Sequence, residues 1–124
     1  IMENNIKIWT KSKYLPEKSN EQQGFFLFSY RIKIKNNSQK VVQLISRYWS
    51  IKDGEGRIED VYGPGVVGKK PRLYSQGFFE YTSFCLLTTP IGFMRGHYRL
   101  ASSSGAEFNV KIKMFRLAAN RVLN

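Results

Sequence analysis

The sequence contains very few of the residues that form disulfide bonds and bind transition metals. Cys85 is the only cysteine and His97 the only histidine among the 124 residues. A single cysteine excludes an intramolecular disulfide and a cysteine-based zinc site, and its apolar neighbours favour a buried, unreactive thiol. One histidine is also too few to argue for a catalytic triad or a cobalt-type metal centre. We therefore expect no enzymatic activity, no catalytic residue, no metal site and no cofactor.

A long hydrophobic run is also missing. No segment approaches the ~18 uninterrupted apolar residues that a membrane-spanning helix needs. The apolar residues at positions 6–9 form a stretch that is too short and too charged for a signal peptide. The sequence therefore predicts a cytoplasmic protein without a membrane span.

Acidic residues are scarce, since nine of them stand against 20 lysines and arginines and leave a net charge of +11. This charge predicts an acidic protein or another anionic ligand as the partner, with non-specific nucleic-acid binding as an alternative. Four acids cluster in the sequence: Asp53, Glu55, Glu59 and Asp60. The first two flank glycines in a turn, and the last two would point to opposite faces of a strand. A solvated turn is therefore expected here instead of a magnesium site.

The residues that are present predict one β-rich domain over positions 1–124. The chain is 42% hydrophobic and 15% aromatic, which is enough for a single core. In the stretch 26–35 the even positions are apolar or aromatic, and from Ser29 onward the odd positions are polar or basic. Alternation with a period of two is typical of a strand with one buried face.

Similar segments follow along the chain, separated by turns. The predicted strands cover positions 6–12, 26–35, 41–51, 80–86, 94–100 and 108–114, with turns at 36–38, 53–56 and 102–105. In the last strand, Met114 is expected to continue the inward row of Phe108, Val110 and Ile112. About seven short strands at this spacing predict an all-β fold, a β-sandwich. The polar segment 14–23 is expected to be a mobile loop.

Three aromatic residues, Trp49, Tyr81 and Tyr98, are expected to pack in or near the core of this sandwich. Trp49 stands two residues after Arg47 in the sequence. If Trp49 were exposed beside Arg47, the pair would indicate a recognition pocket.

A glycine-rich segment, Gly63-Pro64-Gly65-Val66-Val67-Gly68, resembles a dinucleotide-binding fingerprint. That fingerprint works when its last glycine opens a helix whose free N–H groups bind phosphate. Here Pro71 disfavours helical geometry at Lys70, and no apolar helical repeat follows. Two interpretations remain: a nest of amides that binds phosphate, or a sharp connection between strands, which we favour. The candidate phosphate-binding residues are Gly63, Gly65, Gly68, Lys69, Lys70 and Arg72.

Basic residues also alternate along the last two predicted strands. If the turn at 102–105 joins them as a hairpin, His97 lies opposite Lys111, and Arg95 lies near Lys113. Like charges directly opposite each other destabilise a sheet slightly, so folding does not require this arrangement. We expect either a solvated face or a docking face for an anionic partner, without interleaved aromatics for base stacking. The residues of this basic stripe are Arg95, His97, Arg99, Lys111 and Lys113.

Several motifs, in their order and spacing, resemble those of the ApaG family. They are Tyr14-Leu15-Pro16-Glu17, Gln43-Leu44-Ile45-Ser46-Arg47-Tyr48-Trp49, the glycine-rich segment, Tyr81-Thr82-Ser83 and Phe115-Arg116-Leu117. The resemblance runs from about position 6 to position 124 and implies an immunoglobulin- or fibronectin-III-like sandwich. It also implies a protein-interaction module and an association with cobalt resistance and magnesium efflux, without catalytic residues. Many bacterial members have His-Trp where this chain has Tyr48-Trp49, so any role of that histidine is absent here.

Overall fold

The computed structural model describes residues 2–119, and this part of the chain consists of strands, turns and three short 3₁₀ helices. The strands are β1 (Ile6–Tyr14), β2 (Phe26–Asn36), β3 (Val42–Asp53), β4 (Ile58–Pro64), β5 (Arg72–Leu73), β6 (Phe78–Leu87), β7 (Ile91–Ser102) and β8 (Glu107–Ala118). The 3₁₀ helices are Met2–Asn5, Pro16–Lys18 and Glu21–Gln23. No helix in this range is long and apolar enough to cross a membrane. The predicted domain span also includes positions 1 and 120–124, which lie outside the described residues.

The strands form two antiparallel sheets that pack face to face. One sheet has the order β1-β2-β6, and the other has the order β4-β3-β7-β8, with the short β5 pairing with the start of β3. The predicted all-β sandwich is confirmed, and its arrangement fits the immunoglobulin- or fibronectin-III-like class. It has eight strands instead of about seven. Strands β4 and β5 are not among the six segments predicted as strands from the sequence; they lie in a stretch whose side chains are mostly exposed, so they leave little apolar alternation in the sequence.

The core lies between the two sheets and follows the alternation of the sequence. In β2, the central strand of the three-stranded sheet, Phe28, Ile32 and Ile34 are fully buried. From the other sheet, Leu44, Trp49, Tyr98, Leu100 and Ile112 pack into the same cluster. Trp49, Tyr81 and Tyr98 are thus core residues, as predicted.

Two β-bulges change which side chains face the core. In β3 the register shifts between Leu44 and Ser46, and it shifts again between Met94 and Gly96, where β7 pairs with β8. A bulge adds one residue and reverses the alternation beyond it. The prediction that Met114 continues the inward row is therefore wrong: its side chain is 63% exposed, and Leu117 is buried instead.

The segment 14–23 is more ordered in its hydrogen bonding than a plain loop. Tyr14 is the last residue of β1, and its hydroxyl donates to Glu21 Oε2 at 2.7 Å. The amide of Gln23 donates to the side chain of Asn20 at 3.3 Å, which caps the second of the two 3₁₀ helices in this segment. The predicted mobility of this segment stays a prediction.

The two sides of the sandwich differ. On one side β1 contacts β8, and the Ser12 hydroxyl donates to the carbonyl of Arg116 at 2.8 Å. On the other side lie the edge strands β6 and β4, each of which has one edge without a partner strand within residues 2–119. The sandwich is therefore closed along β1 and β8 and open along β4 and β6.

Candidate functional site

The glycine-rich segment forms the end of β4 and the turn that follows it. Gly65, Val67 and Gly68 have positive φ angles of 58°, 43° and 77°. Val66 and Lys69 exchange two backbone hydrogen bonds of 2.8 Å, and the Gly65 amide donates to the carbonyl of Ile45 at 2.8 Å. Three of the amides that a phosphate nest would use therefore already donate to carbonyl groups. Phosphate binding by this segment stays a prediction.

Packing explains two of the three glycines without a ligand. A Cβ atom on Gly63 would lie 2.8 Å from Nη1 of Arg47, and one on Gly65 would overlap the carbonyl oxygen of Lys69. The other candidates, Lys69, Lys70 and Arg72, are exposed. Gly63 thus makes room for the Arg47 side chain, a contact that no sequence pattern indicated.

The basic stripe lies on the outer face of β7 and β8. His97 pairs directly with Lys111, as predicted, and Arg95 faces the bulge that contains Lys113. Arg99 differs from the other members of the stripe because its guanidinium donates to Glu107 Oε1 at 2.7 Å and to Asn109 Oδ1 at 3.0 Å. The charge of Arg99 is therefore partnered within the chain.

Aromatic rings continue this face across the sheet. The Tyr48 ring packs against His97 with a centroid distance of 5.1 Å and against Tyr62 with a centroid distance of 4.7 Å. Tyr62 is 75% exposed. The expectation that the exposed positions lack interleaved aromatics is therefore wrong, because the sequence pattern did not reveal β4, the strand that carries Tyr62.

A second basic surface, missed in the sequence, covers the outer face of the three-stranded sheet. We call it the cationic face; its basic residues are Lys7, Lys11, Lys13, Arg31, Lys33 and Lys35. Glu80 is the only acidic residue of these three strands, and it forms a 3.0 Å ion pair with Arg31. The Nζ atom of Lys33 lies 5.5 Å from the ring centroid of Trp9 and 4.6 Å from that of Phe78. Alternating lysines in β1 and β2 were the signal that could have revealed this face.

A cavity of about 550 Å³ occupies the open side of the sandwich, between β3 and β4 on one sheet and β6 on the other. Its lining includes Arg47, Trp49, Tyr81, Cys85 and Val66. Trp49 is only 2% exposed, yet its indole lines this cavity together with Arg47. The surface exposure of Trp49 that would have indicated a recognition pocket is therefore not found, and Arg47 and Trp49 instead both line a cavity inside the sandwich.

Burial favours the neutral forms of two tyrosines and the cysteine in and next to the cavity. Burial raises the pKa of Tyr81 and Tyr98, whose hydroxyl groups share a hydrogen bond, and the charge of Arg47 acts in the opposite direction. Burial, with a smaller contribution from Glu59, raises the pKa of Cys85 to about 11. At neutral pH the Cys85 thiol is therefore protonated, and its position is that of a packed side chain.

Alkaline pH is expected to destabilise the fold through Tyr81 and Tyr98. Their folded-state pKa values lie above the value of about 10 in an unfolded chain, so the folded state keeps protons that the unfolded state releases. The stability that these two tyrosines contribute is then fully present below pH ~10 and decreases above it, by about 1.4 kcal/mol per tyrosine per pH unit. Urea denaturation at several pH values between 8 and 11 measures this decrease. In Tyr98→Phe, the free energy of unfolding should fall with pH about half as steeply, because one of the two tyrosines no longer ionises. Equal urea midpoints at pH 8 and pH 11 in the unmodified protein would contradict the prediction.

The sequence of this chain is similar to those of known proteins. The family model described as the ApaG domain matches residues 16–102. The chain belongs to the ApaG family. It is 46% identical over 123 residues to protein ApaG of Methylocella silvestris, covering 97% of this chain and 95% of that protein. It is 44% identical over 119 residues to protein ApaG of Acidithiobacillus ferrooxidans, covering 96% and 94%.

The fold of this ApaG-family chain also matches a solved structure. The crystal structure of a Bordetella pertussis protein described as ApaA aligns with a TM-score of 0.91 at 43% identity, covering 94% of each chain. The resemblance noted in the sequence motifs is therefore confirmed. The matched range 16–102 contains the glycine-rich segment and the cavity residues of β3, β4 and β6, whereas Lys111 and Lys113 lie beyond it.

Proposed function

We propose that this ApaG-family protein acts by binding an acidic protein partner and carries out no chemistry of its own. The cationic face is the observation that supports this proposal. Its six basic residues lie around the exposed aromatics Trp9 and Phe78, and Glu80 is the one acidic residue on strands β1, β2 and β6 that offsets their charge. Charge complementarity steers an acidic partner to such a face, and exposed aromatics provide the contacts that dominate protein interfaces.

Binding without catalysis is supported by where the reactive side chains lie. His97 is on the outer face of one sheet against Tyr48, whereas Cys85 is buried with a protonated thiol. Nucleophilic catalysis needs such groups within hydrogen-bond reach of each other. Within residues 2–119, no group of three or more histidine, cysteine, aspartate or glutamate side chains is arranged to hold a metal ion.

The proposal also has consequences for the location of the protein in the cell and for the family's association with divalent cations. We place the protein in the cytoplasm, as expected from its sequence. A link to cobalt resistance or magnesium efflux would then act through the bound partner. Phosphate binding at the glycine-rich segment is the weaker alternative, because Gly65, Val66 and Lys69 already donate their amides to carbonyl groups.

Charge reversal on the cationic face should weaken the binding of an acidic peptide at least tenfold. The probe is a 15-residue synthetic peptide that alternates Asp or Glu with Leu or Phe, titrated while the emission of the 51%-exposed Trp9 is recorded. The test variant is Lys11→Glu with Lys33→Glu. Its matched control is Lys69→Glu with Lys70→Glu, which makes the same change in net charge in the exposed turn after β4 of the other sheet.

Two further comparisons identify the partner class. Replacing Leu and Phe of the peptide with Ser should weaken binding, because Trp9 and Phe78 lose their apolar contacts. Binding should also weaken as salt rises. Equal losses in the test and control variants would show that only net charge matters, which contradicts the proposal. Tighter binding of a single-stranded oligonucleotide than of the peptide at the same salt would replace the protein partner with nucleic acid.

A further inference from the structure

The cavity on the open side of the sandwich lies away from the cationic face and has its own chemistry. Trp49, Val66 and Met94 are almost fully buried and form its inner part. Glu59 and Gly68 are exposed and lie at its rim. A volume of about 550 Å³ is in the range of small-molecule sites. The open edges of β4 and β6 leave this space accessible from outside.

One hydrogen-bond donor of a residue that lines this cavity lacks an acceptor. Among the described residues, Nε1 of Trp49 is the only buried side-chain nitrogen or oxygen without a hydrogen-bond partner. Leaving a buried donor unsatisfied is unfavourable, and native structures rarely do so. The described residues therefore supply no acceptor for this indole N–H, and a bound ligand next to Trp49 could supply one.

Arg47 brings a positive charge to the same cavity, and its position is fixed. Its Nη1 atom donates to the carbonyl groups of Pro64 and Gly65, both at 3.0 Å, and its guanidinium packs against Gly63. These two bonds use one end of the guanidinium, which has five N–H donors in a planar fork. A planar carboxylate matches the geometry of such a fork.

The remaining lining limits the size and charge of the ligand. Val61, Val66, Ile51 and Met94 provide apolar walls. Glu59 is the acidic residue in the lining, and it is close enough to Cys85 to contribute to the rise of the thiol pKa. With one arginine in the lining and a glutamate at the rim, the cavity is suited to a ligand with a single negative charge. A di- or triphosphate would require several cations.

We propose that this cavity binds a small monocarboxylate with an apolar body, whose carboxylate accepts from the Arg47 guanidinium and the Trp49 indole N–H. The apolar body contacts Val61, Val66 and Met94. This site is separate from the cationic face, so it can exist whether or not an acidic protein binds there. In this proposal Arg47 and Trp49 bind the ligand, a role that is independent of phosphate binding by the glycine-rich segment.

The two tryptophans allow a direct test by nuclear magnetic resonance. The chain has two indole N–H groups: that of Trp49 in the cavity and that of Trp9 on the cationic face. Phenylacetate and hexanoate are titrated into the ¹⁵N-labelled protein, and Trp9→Phe assigns the two signals. We expect the Trp49 indole signal to move in a saturable way with both acids, while the Trp9 signal stays unchanged. Phenylacetamide, which has the same body without the charge, should bind at least tenfold more weakly.

Variants that change a charge of the cavity lining test the proposal without altering the apolar core. Glu59→Gln removes the negative charge at the cavity and should tighten phenylacetate binding by about two- to fivefold. Asp60→Asn is the matched control: Asp60 is the next residue of β4, but it accepts a hydrogen bond from Tyr48 on the outer face at 2.7 Å. Its effect on binding should be at least twofold smaller. Arg47→Met should weaken binding at least tenfold, with circular dichroism confirming that the variant is folded.

Each outcome decides the proposal. A Trp49 signal that does not move at tens of millimolar acid overturns it, and so does equal binding of phenylacetate and phenylacetamide. Equal effects of Glu59→Gln and Asp60→Asn would show a general charge effect and also overturn it. Because the acidic peptide is followed through Trp9 and the carboxylate through Trp49, failure of one proposal is distinguishable from failure of the other.

Discussion

Replacing Gly96 with alanine is expected to remove about 3 kcal/mol of stability or more, a large fraction of the roughly 5–15 kcal/mol that stabilises a typical domain. Gly96 pairs with Trp49 where β7 runs beside β3. A Cβ atom on Gly96 would overlap the carbonyl oxygen of Tyr48 and lie 3.2 Å from Cα of Trp49. Both atoms belong to the backbone of the neighbouring strand, so they cannot rotate away as a side chain would. The two strands would have to separate in the middle of the larger sheet.

Gly105→Ala is the matched control for this variant. Gly105 has a φ angle of 89°, and no atom lies within 4 Å of a Cβ placed there. Alanine at Gly105 therefore costs only the strain of a positive φ angle, about 1–2 kcal/mol. Urea denaturation followed by circular dichroism compares the two variants. Equal stability of Gly96→Ala and Gly105→Ala would show that the close approach of β3 and β7 is not what requires glycine at position 96.

Phe28→Ala is expected to destabilise the protein by about 3–5 kcal/mol. Phe28 is fully buried in the centre of β2, and its ring centroid lies 5.2 Å from that of Tyr14. Truncation removes the apolar contacts of the ring and leaves a cavity between two packed sheets, which cannot collapse without shifting strands. The loss is measured as the change in the free energy of unfolding from urea titration.

Phe84→Ala provides the comparison on the same sheet. Phe84 lies on the neighbouring strand β6 and is 56% exposed on the outer face. Its truncation should change the free energy of unfolding by less than about 1 kcal/mol. If both variants lost the same stability, the outer face of this sheet would be packed as tightly as the core, contrary to the arrangement of the strands.

Much of the fold could be predicted because burial on one face imposes a period of two on the sequence. The alternation in β2 identified Phe28, Ile32 and Ile34 as core residues. β4 gave no such signal, because it is an edge strand whose side chains are mostly exposed. A bulge is set by pairing between strands, so the reversal that exposes Met114 could not be read from β8 alone.

The candidate sites were predictable only where they depend on local pairing. The turn after β7 fixes the register of the hairpin, and this placed His97 opposite Lys111 correctly. The cavity instead requires β3, β4 and β6 to meet at the open side, which depends on the packing of two sheets. For this reason the sequence drew attention to the lysines after the glycine-rich segment, whereas the structure brings Arg47 and Trp49 together.

The edges of β4 and β6 have no partner strand in the described part of the chain, and this has a consequence for how copies of the protein behave in concentrated solution. A strand edge with unpaired backbone groups is a template for another strand, and proteins normally protect it. Here the protection is electrostatic, since every copy carries a net charge of +11 and repels the next. High salt or a bound polyanion weakens this repulsion. Colloidal stability in this protein therefore depends on the same positive charge that attracts its partners.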